Sequence, residues 1–494
     1  MDDVSQGAGI PGQAPSEMGG GAPPLTATIE AKGIEHITHG ERWGRPSGLF
    51  WLWAGAVWNV EYVVYGTLLV VVFGLSFAQS VLVILLGNLF YLLTGFASLQ
   101  GPVAGTTTFA ISRAPFGPNG NRVPSVFNWA TQVGFEIEGI ALIVLAGVAL
   151  AAKAGVSAGD GLKAGLLIGA VLIQACLPFI GHAAMLRVLR WLAFPFIALF
   201  VIMAIITASK VNLTAVAHGA GWGSVMVALA LVISAGGLGW TENGNDYSRY
   251  LPPTTSKRNI VLAVALGAGI PSVLLEVLGA AVATAVTGAA AFGIISVNGL
   301  VAVFPGWFVV PYLIVAIVQL FAINSMDLYS SGVTLQSIGL HLKRYQCVII
   351  DTVVAGGLAA YAIFSTRFSQ LLADFLLFII VWVGPWCAIY LVDYLLRRGR
   401  YDNGALQNET GGRYYRNGGV HWPAIIAQGV GMVAAALWLN AYSPYVSPLS
   451  SRVDGSDFSV FLGLFFGGIT YYLLARRKVR AEADATAESV VVQS

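Results

Sequence analysis

The sequence predicts an all-α polytopic membrane protein with twelve transmembrane helices, and two observations carry this prediction. Hydrophobic residues make up 56% of the 494 residues and charged residues only 10%, which leaves too little polar surface for a soluble protein of this length. Apolar segments of about 18 to 28 residues recur along the chain, and each can cross about 30 Å of hydrocarbon as a tilted helix. The predicted spans are 48–73, 78–99, 124–151, 162–181, 190–209, 223–241, 259–287, 308–338, 346–364, 370–396, 423–442 and 458–475.

The segments outside these spans define the domain organisation. Residues 1–45 are rich in Gly, Pro, Ala and Ser, and we predict a disordered cytoplasmic tail there. A ten-helix core follows at 46–397, then a polar, basic cytoplasmic loop at 398–422. Two accessory transmembrane helices at 423–475 and a cytoplasmic tail at 476–494 complete the chain.

The orientation follows from the basic residues in the loops. With both termini in the cytoplasm, 21 of the 26 Lys and Arg residues lie on the cytoplasmic side, as the positive-inside rule requires. The five that fall outside are Lys153, Lys163, Lys210, Arg367 and Arg452. We therefore expect a multi-pass protein of the plasma membrane with an even number of spans.

The predicted sixth span breaks at Gly236, Gly237 and Gly239 and becomes polar in its second half, which includes Glu242. Backbone groups freed by such a break inside a membrane must be met by protein, water or a ligand. Discontinuous helices hold substrate and coupling ion in many secondary transporters, because their ends carry partial charges. The break is therefore a predicted binding site.

The predicted first span has the same character, since Gly55 is followed by Trp58, Asn59 and Glu61. Breaks in the first and sixth spans suggest two inverted five-span repeats, at about 46–209 and 223–397, followed by two extra helices. Close helix packing is the alternative explanation for the small residues, above all at Gly55.

Carboxylates within spans usually face a cavity or a partner, and the candidates we single out are Glu61, Glu136, Glu138, Glu276 and Asp327. Glu136 and Glu138 point about 200° apart on a helix, so at most one faces a cavity. We favour Glu136 for the site and Glu138 for structure. Burial disfavours a charged carboxyl, so the inward one is a candidate proton carrier. For Glu276, a bond to a neighbouring helix is as good an explanation as a relay.

Several classes of function are not indicated. The net charge of +2 gives no reason to expect a nucleic-acid partner. Cys176, Cys347 and Cys387 lie in or beside apolar spans without disulfide or zinc spacing, and the histidines are scattered. We expect no enzyme activity, no resident metal and no cofactor apart from a co-transported H⁺ or Na⁺, and we make no prediction of oligomeric state.

Three motifs resemble one family. RAPFGPNGNRVP between the second and third spans, GWTENGNDYSRYLP at the end of the sixth and SSGVTLQSIGL in the eighth stand in family order. Over residues 34–400 the chain resembles the nucleobase:cation symporter-1 family, in particular its purine–cytosine permease-like bacterial members. This resemblance implies a LeuT-like five-plus-five fold and the import of a nucleobase or related ring with a proton or sodium ion.

Binding residues carry over where positions match. Trp240 matches the tryptophan that stacks on the planar ligand, whereas Phe135 and Gly139 replace a tryptophan and a polar residue of the family. A flat ring with donors and acceptors on its rim needs aromatic faces and polar groups in plane. Trp240 and Phe135 are the predicted faces. The predicted remainder of the substrate site is Asn59, Glu61, Glu136, Glu138, Gly139, Gly239, Glu242, Asn243 and Asn324.

The coupling ion is less sharply indicated. Sodium-coupled relatives carry adjacent hydroxyl residues before the asparagine of the eighth span, where this chain has Val318 and Gln319. Because sodium needs several close oxygens, the sequence favours a proton. The residues we predict for ion coupling are Gly55, Trp58, Glu136, Glu276 and Gln319. The alternative to a nucleobase is an amino acid, amine or vitamin carried on the same fold.

Overall fold

A computed structural model describes residues 32–176, 182–212, 214, 219–286, 297–340, 342–365, 368–441 and 445–493. The α-helices that include the predicted spans are α1 Pro46–Val57, α2 Val60–Val71, α3 Phe77–Asn88, α4 Tyr91–Ala97, α5 Gln100–Ala104, α6 Thr108–Ile111, α7 Arg113–Phe116, α8 Arg122–Lys153, α9 Asp160–Cys176, α10 His182–Ala208, α11 Trp222–Ile233, α12 Gly244–Ser248, α13 Lys257–Ala283, α14 Gly306–Ser337, α15 Arg344–Phe364, α16 Phe368–Arg397, α17 Asn403–Gln407, α18 Trp422–Trp438, α19 Pro448–Ser451 and α20 Ser459–Gln493. The prediction of an all-α membrane protein is confirmed.

Within the described residues, nine helices are long and apolar enough to cross a membrane, and the bent pair α1–α2 makes a tenth. The count of twelve stays a prediction. α9 reaches Cys176, where one described stretch ends, and α18 has 17 residues, slightly short for a perpendicular span.

The first span is broken between α1 and α2, which meet at an angle of 57°. Trp58 and Asn59 form the link, and Asn59 adopts an extended conformation that ends one helix and begins the next. The Asn59 Oδ1 atom accepts a hydrogen bond from the Glu61 N–H at 3.2 Å. The Val60 N–H is met by Gln319 Oε1 on α14 at 3.3 Å. Side chains thus satisfy the backbone at this break.

The sixth span is broken as predicted. α11 runs into a π-helical turn at Ser234–Leu238, where Gly236 has φ −104° and ψ −118°, and a 3₁₀ turn at Thr241–Asn243 precedes α12. A Cβ atom on Gly237 would lie 2.1 Å from the backbone nitrogen of Tyr91. The Gly237 carbonyl accepts a hydrogen bond from the Thr94 hydroxyl. Glycine therefore lets the break lie directly against α4.

Small residues also set the packing of the broken helices. A Cβ atom on Gly66 of α2 would lie 1.9 Å from the Glu276 carbonyl oxygen on α13, and one on Gly279 of α13 would lie 1.9 Å from that of Val63. The two backbones therefore approach as closely as membrane helices can. On the other side of the break, α8 packs along α14, and α18 and α20 pack on α16.

Residues 32–45 are folded, contrary to the prediction of disorder up to residue 45. Ile37 is buried and its N–H donates to the Gly105 carbonyl at 2.7 Å, while the Gly44 N–H donates to the Tyr250 carbonyl at 2.9 Å. The segment can fold without a long apolar run, because backbone hydrogen bonds and the buried Arg42 hold it in place. The rest of the predicted tail lies outside the described residues.

The C-terminal part also differs from the prediction, because α20 continues far beyond residue 475. Its Glu482 forms ion pairs with Arg397 and Arg416, and Arg113 pairs with Glu409. These contacts join α20, the end of α16 and the segment around α17 at one end of the bundle, which we call the basic face. A polar sequence here continues the helix because its charges have fixed partners.

His421, the residue before α18, makes stability depend on pH at the basic face. Burial beside Arg416 lowers the pKa of His421 to about 4, and its Nδ1 atom contacts the Pro115 carbonyl at 2.6 Å. The unfolded chain therefore takes up the proton first, so stability falls as the pH drops from about 6.5 towards 4. In a thermal unfolding series from pH 7.5 to 5, we expect His421→Gln to lose less stability on acidification than the wild type. The exposed His39→Gln control should follow the wild type, and parallel curves for all three proteins would contradict this role.

Candidate functional site

A cavity lies where α2, α8 and α14 meet the break in the sixth span. Its volume is about 20 Å³, enough for roughly one water molecule, so the walls of the site lie close together in this structure. Its lining residues are Glu61, Tyr62, Tyr65, Gln132, Phe135, Glu138, Ala235, Gly239, Trp240, Asn243, Ile323, Asn324 and Asp327. Seven predicted substrate-site residues are among them: Glu61, Phe135, Glu138, Gly239, Trp240, Asn243 and Asn324.

Trp240 is held in a defined plane. Its ring meets Trp53 edge to face at 5.5 Å between centroids, and its Nε1–H donates to the Tyr62 hydroxyl at 3.2 Å. That hydroxyl is 3.0 Å from the hydroxyl of Tyr91. These contacts fix the orientation of the indole, so that one of its faces can stack on a flat ligand.

Phe135 supplies a second aromatic wall from α8. It packs edge to face on Phe375 of α16 with ring centroids 5.2 Å apart. A Cβ atom on the preceding Gly134 would collide with the Phe375 ring, so the glycine allows this contact. Both predicted aromatic faces therefore lie on the cavity.

Amide groups in the cavity are already hydrogen-bonded to one another. Gln132 Nε2 donates to Glu242 Oε1 at 2.7 Å and to Asn243 Oδ1 at 3.2 Å. Asn243 Nδ2 donates back to Gln132 Oε1 at 3.3 Å. Glu242 does not line the cavity. It accepts a hydrogen bond from Gln132 and so helps to position that side chain.

Asn324 is held from two sides. Its Nδ2 donates to Gln174 Oε1 on α9 at 3.0 Å and contacts the Glu136 carbonyl at 3.4 Å. A Cβ atom on Gly139 would lie 2.2 Å from the amide atoms of Asn324. Gly139 therefore has no place in the lining, and its lack of a side chain makes room for Asn324. Asn59 likewise lies outside the lining and caps α2.

The structure reverses the preferred roles of the two α8 glutamates. Glu138 lines the cavity, whereas Glu136 faces away from it and accepts a hydrogen bond from the Ser331 hydroxyl at 2.8 Å. Ser331 also lies 3.1 Å from Asp351 Oδ2 on α15. The two glutamates do point to opposite sides, as their spacing predicts, but the sequence could not show which side holds the cavity.

The residues predicted for ion coupling lie outside the cavity lining. A Cβ atom on Gly55 would lie 2.4 Å from the Leu189 carbonyl, so this glycine serves close packing against α10. Trp58 stacks on Phe200 with ring centroids 6.0 Å apart, and the Gln319 side-chain oxygen accepts a hydrogen bond from the Val60 N–H of α2. Glu276 accepts hydrogen bonds from Asn88 at 2.7 Å and Ser272 at 3.2 Å. In the described part of the chain, no group of three or more His, Cys, Asp or Glu residues is arranged to hold a metal.

The sequence interpretation missed part of the lining, although helical spacing contained the signal. Tyr62 and Tyr65 follow Glu61 at one and four residues, and Gln132 precedes Phe135 by three. Asp327 follows Asn324 by three, which places both on one face of α14. We had noted Asp327 as an intramembrane carboxylate without assigning it to the site.

The comparisons with known proteins agree with this architecture. A family model described as permease for cytosine/purines, uracil, thiamine, allantoin matches residues 36–463. The chain is 28% identical over 474 residues to YxlA of Bacillus subtilis (strain 168), covering 92% of this chain and 98% of the relative. It is 27% identical over 461 residues to the purine-cytosine permease fcyB of Emericella nidulans, covering 90% and 88%. The cytosine permease of Escherichia coli (strain K12) is 29% identical over 404 residues, with 78% and 83% covered.

A solved structure shows the same fold. Mhp1, a nucleobase-cation-symport-1 family transporter in a closed conformation with bromovinylhydantoin bound, matches with a TM-score of 0.69 at 16% identity. The match covers 92% of this chain and 97% of Mhp1. These relatives are membrane transporters rather than enzymes, in agreement with the sequence prediction. The chain belongs to the nucleobase:cation symporter-1 family of permeases for cytosine/purines, uracil, thiamine and allantoin.

Proposed function

We propose that this protein imports a nucleobase or a related ring, of the cytosine, purine, uracil, hydantoin or allantoin class, in symport with a cation by alternating access. The observation that carries the proposal is the cavity at the broken sixth span, where Trp240 and Phe135 offer aromatic walls and Gln132, Asn243 and Asn324 offer amides. Flat heterocycles need this combination of faces and in-plane polar groups.

We propose a proton as the coupling cation. Gln319 carries an oxygen in the region where sodium-coupled relatives place hydroxyl residues, but that oxygen is committed to the Val60 N–H. The neighbouring Val318 has no oxygen to offer in its side chain. Since a sodium ion requires several close oxygen ligands, these two positions favour a proton.

The orientation and the domain division belong to the same proposal. The basic face, with Arg397, Arg416 and residues 32–45, would lie in the cytoplasm, and both termini with it. The protein would reside in the plasma membrane. Two inverted repeats, at about 46–209 and 223–397, would carry out the alternating access while 423–475 serve as accessory helices.

Uptake into membrane vesicles tests the proposal. Labelled cytosine, adenine, uracil, hydantoin and allantoin are offered with a pH gradient or a sodium gradient imposed separately. We expect saturable accumulation of at least one ring, driven by inward protons without sodium. Accumulation that requires sodium would overturn the choice of ion, and no accumulation of any ring under either gradient would overturn the substrate class.

One observation favours a second candidate, the transport of an amine. Glu61, Glu138 and Asp327 line the cavity, and none of the described lining residues is basic. A cationic substrate would be attracted to such a site. Competition of uptake by amines and not by nucleobases would support this candidate over the first.

A further inference from the structure

The three carboxyl groups in the cavity have unmet hydrogen-bonding capacity. Asp327 is 3% exposed and Glu138 is 7% exposed, so both are shielded from bulk solvent. Among the residues that the structure describes, none donates a hydrogen bond to the side-chain oxygens of Glu61, Glu138 or Asp327. These oxygens nevertheless line the cavity. Buried acceptors are satisfied in nearly all proteins, so these three groups are arranged for donors that a ligand brings.

The charges of the three groups also lack compensation. Glu61 interacts unfavourably with both Glu138 and Asp327, and Asp327 interacts unfavourably with Glu136 and Glu242 from the neighbouring elements. The other titratable groups of the lining, Tyr62 and Tyr65, carry no positive charge. Carboxylates that share a dehydrated site cannot all be ionised, because mutual repulsion and lost solvation both oppose it.

We propose that the coupling proton and the transported ring share this one cavity, with the proton held among Glu61, Glu138 and Asp327. The inference rests on the proposed function and adds to it the place of the proton and the chemistry of the ring. Glu136 and Glu276, which the sequence suggested for coupling, accept hydrogen bonds from serine or asparagine and do not line the cavity.

A ring suited to this site carries an amino group next to a ring nitrogen, as cytosine and adenine do. One carboxyl oxygen accepts a hydrogen bond from the amino N–H. The shared proton lies between the other carboxyl oxygen and the ring nitrogen, bonded to either one, so no proton is gained or lost within the pair. Uracil can use the same proton in another way, because its ring N–H donates to one carboxyl oxygen while its neighbouring carbonyl accepts a hydrogen bond from the protonated one.

Binding calorimetry on the purified full-length protein tests the proposal, with cytosine and uracil as probes. Titrations in two buffers of different ionisation enthalpy give the number of protons taken up per ring. We expect the proton uptake per cytosine to rise with pH towards about one, because the free site loses its proton at higher pH and must regain it to form the shared pair.

Substitution of the cavity carboxyl groups tests whether they hold the proton. In Glu138→Gln and Asp327→Asn we expect the proton uptake to fall, and in the triple variant that also carries Glu61→Gln we expect it to vanish. Asp160→Asn, which removes an exposed carboxylate at the start of α9, should behave as the wild type. Protons taken up by the triple variant as in the wild type would overturn the proposal.

Calorimetry on the wild-type protein tests the proposal even if the variants do not fold. Cytosine binding without proton uptake from pH 6 to 8.5, or binding that depends on sodium, would overturn the shared cavity and leave ring transport standing. Absence of binding for both probes, together with no vesicle uptake of any ring, would overturn the proposed function itself.

Discussion

Trp240→Ala is expected to weaken uptake of the transported ring by about 5- to 150-fold, because stacking of a base on an aromatic ring contributes roughly 1–3 kcal/mol. The substitution removes the indole face and also the hydrogen bond from Nε1 to the Tyr62 hydroxyl. Concentration dependence of uptake in vesicles, normalised to the amount of protein in the membrane, measures the loss.

Two further variants show whether the loss reflects the site. Trp240→Phe keeps a face but no N–H donor, so we expect a loss of only a few-fold, the value of one neutral hydrogen bond of about 1 kcal/mol. Trp307→Ala removes a tryptophan that is 66% exposed at the start of α14, and uptake should stay unchanged. Normal uptake by Trp240→Ala would exclude the indole as a wall of the substrate site.

The sequence was sufficient to predict both broken helices. Glycines followed by polar residues are incompatible with a plain lipid-facing helix, and this local rule identifies the break at Gly236. The rule was less exact in the first span, because the chain leaves the helix at Trp58 and Asn59. Gly55 lies within α1 and fits the surface of α10, a contact between distant segments that composition does not reveal.

The candidate site was predictable as a set of aromatic and polar side chains on known spans, but not in its detailed geometry. Trp240 and Phe135 follow from the motif and the chemistry of flat rings. Whether Glu136 or Glu138 lines the cavity depends on the rotation of α8 about its axis, which α14 and α15 determine by packing. The folding of residues 32–45 depends on partners such as Gly105 and Tyr250, which are distant in sequence.

Arg397→Met is expected to destabilise the protein by about 3–5 kcal/mol, the usual cost of breaking a buried ion pair by removing one partner. The guanidinium is fully buried and donates to Asp393 at 2.7 Å, to Glu482 at 3.2 Å and to the Ala114 carbonyl at 3.3 Å. Its loss leaves Asp393 with only the Tyr471 hydroxyl at 2.7 Å as a donor among the described residues. Thermal unfolding in detergent and the yield of monodisperse protein measure the effect.

Arg400 provides a matched control three residues away. It pairs with Asp484 at 3.5 Å, and both side chains are largely exposed, so Arg400→Met should cost no more than about 1 kcal/mol. Arg397→Lys keeps the charge but cannot reproduce the planar fork, and its stability should lie between the wild type and Arg397→Met. Equal melting temperatures for the Arg397→Met and Arg400→Met variants would show that the buried network contributes little.

The packing of residues 32–45 has a consequence for the speed of any opening at the basic face. This segment bonds to the loop after α5 through Gly105, to the end of the broken sixth span through Tyr250, and to the last residue of α17, Gln407, which donates to the Ile34 carbonyl at 3.0 Å. Segments that follow three different spans are therefore connected to one another through hydrogen bonds to residues 32–45. Each hydrogen bond that breaks costs roughly 1 kcal/mol, so we expect these fourteen residues to slow any opening at the basic face, although none of them lines the cavity.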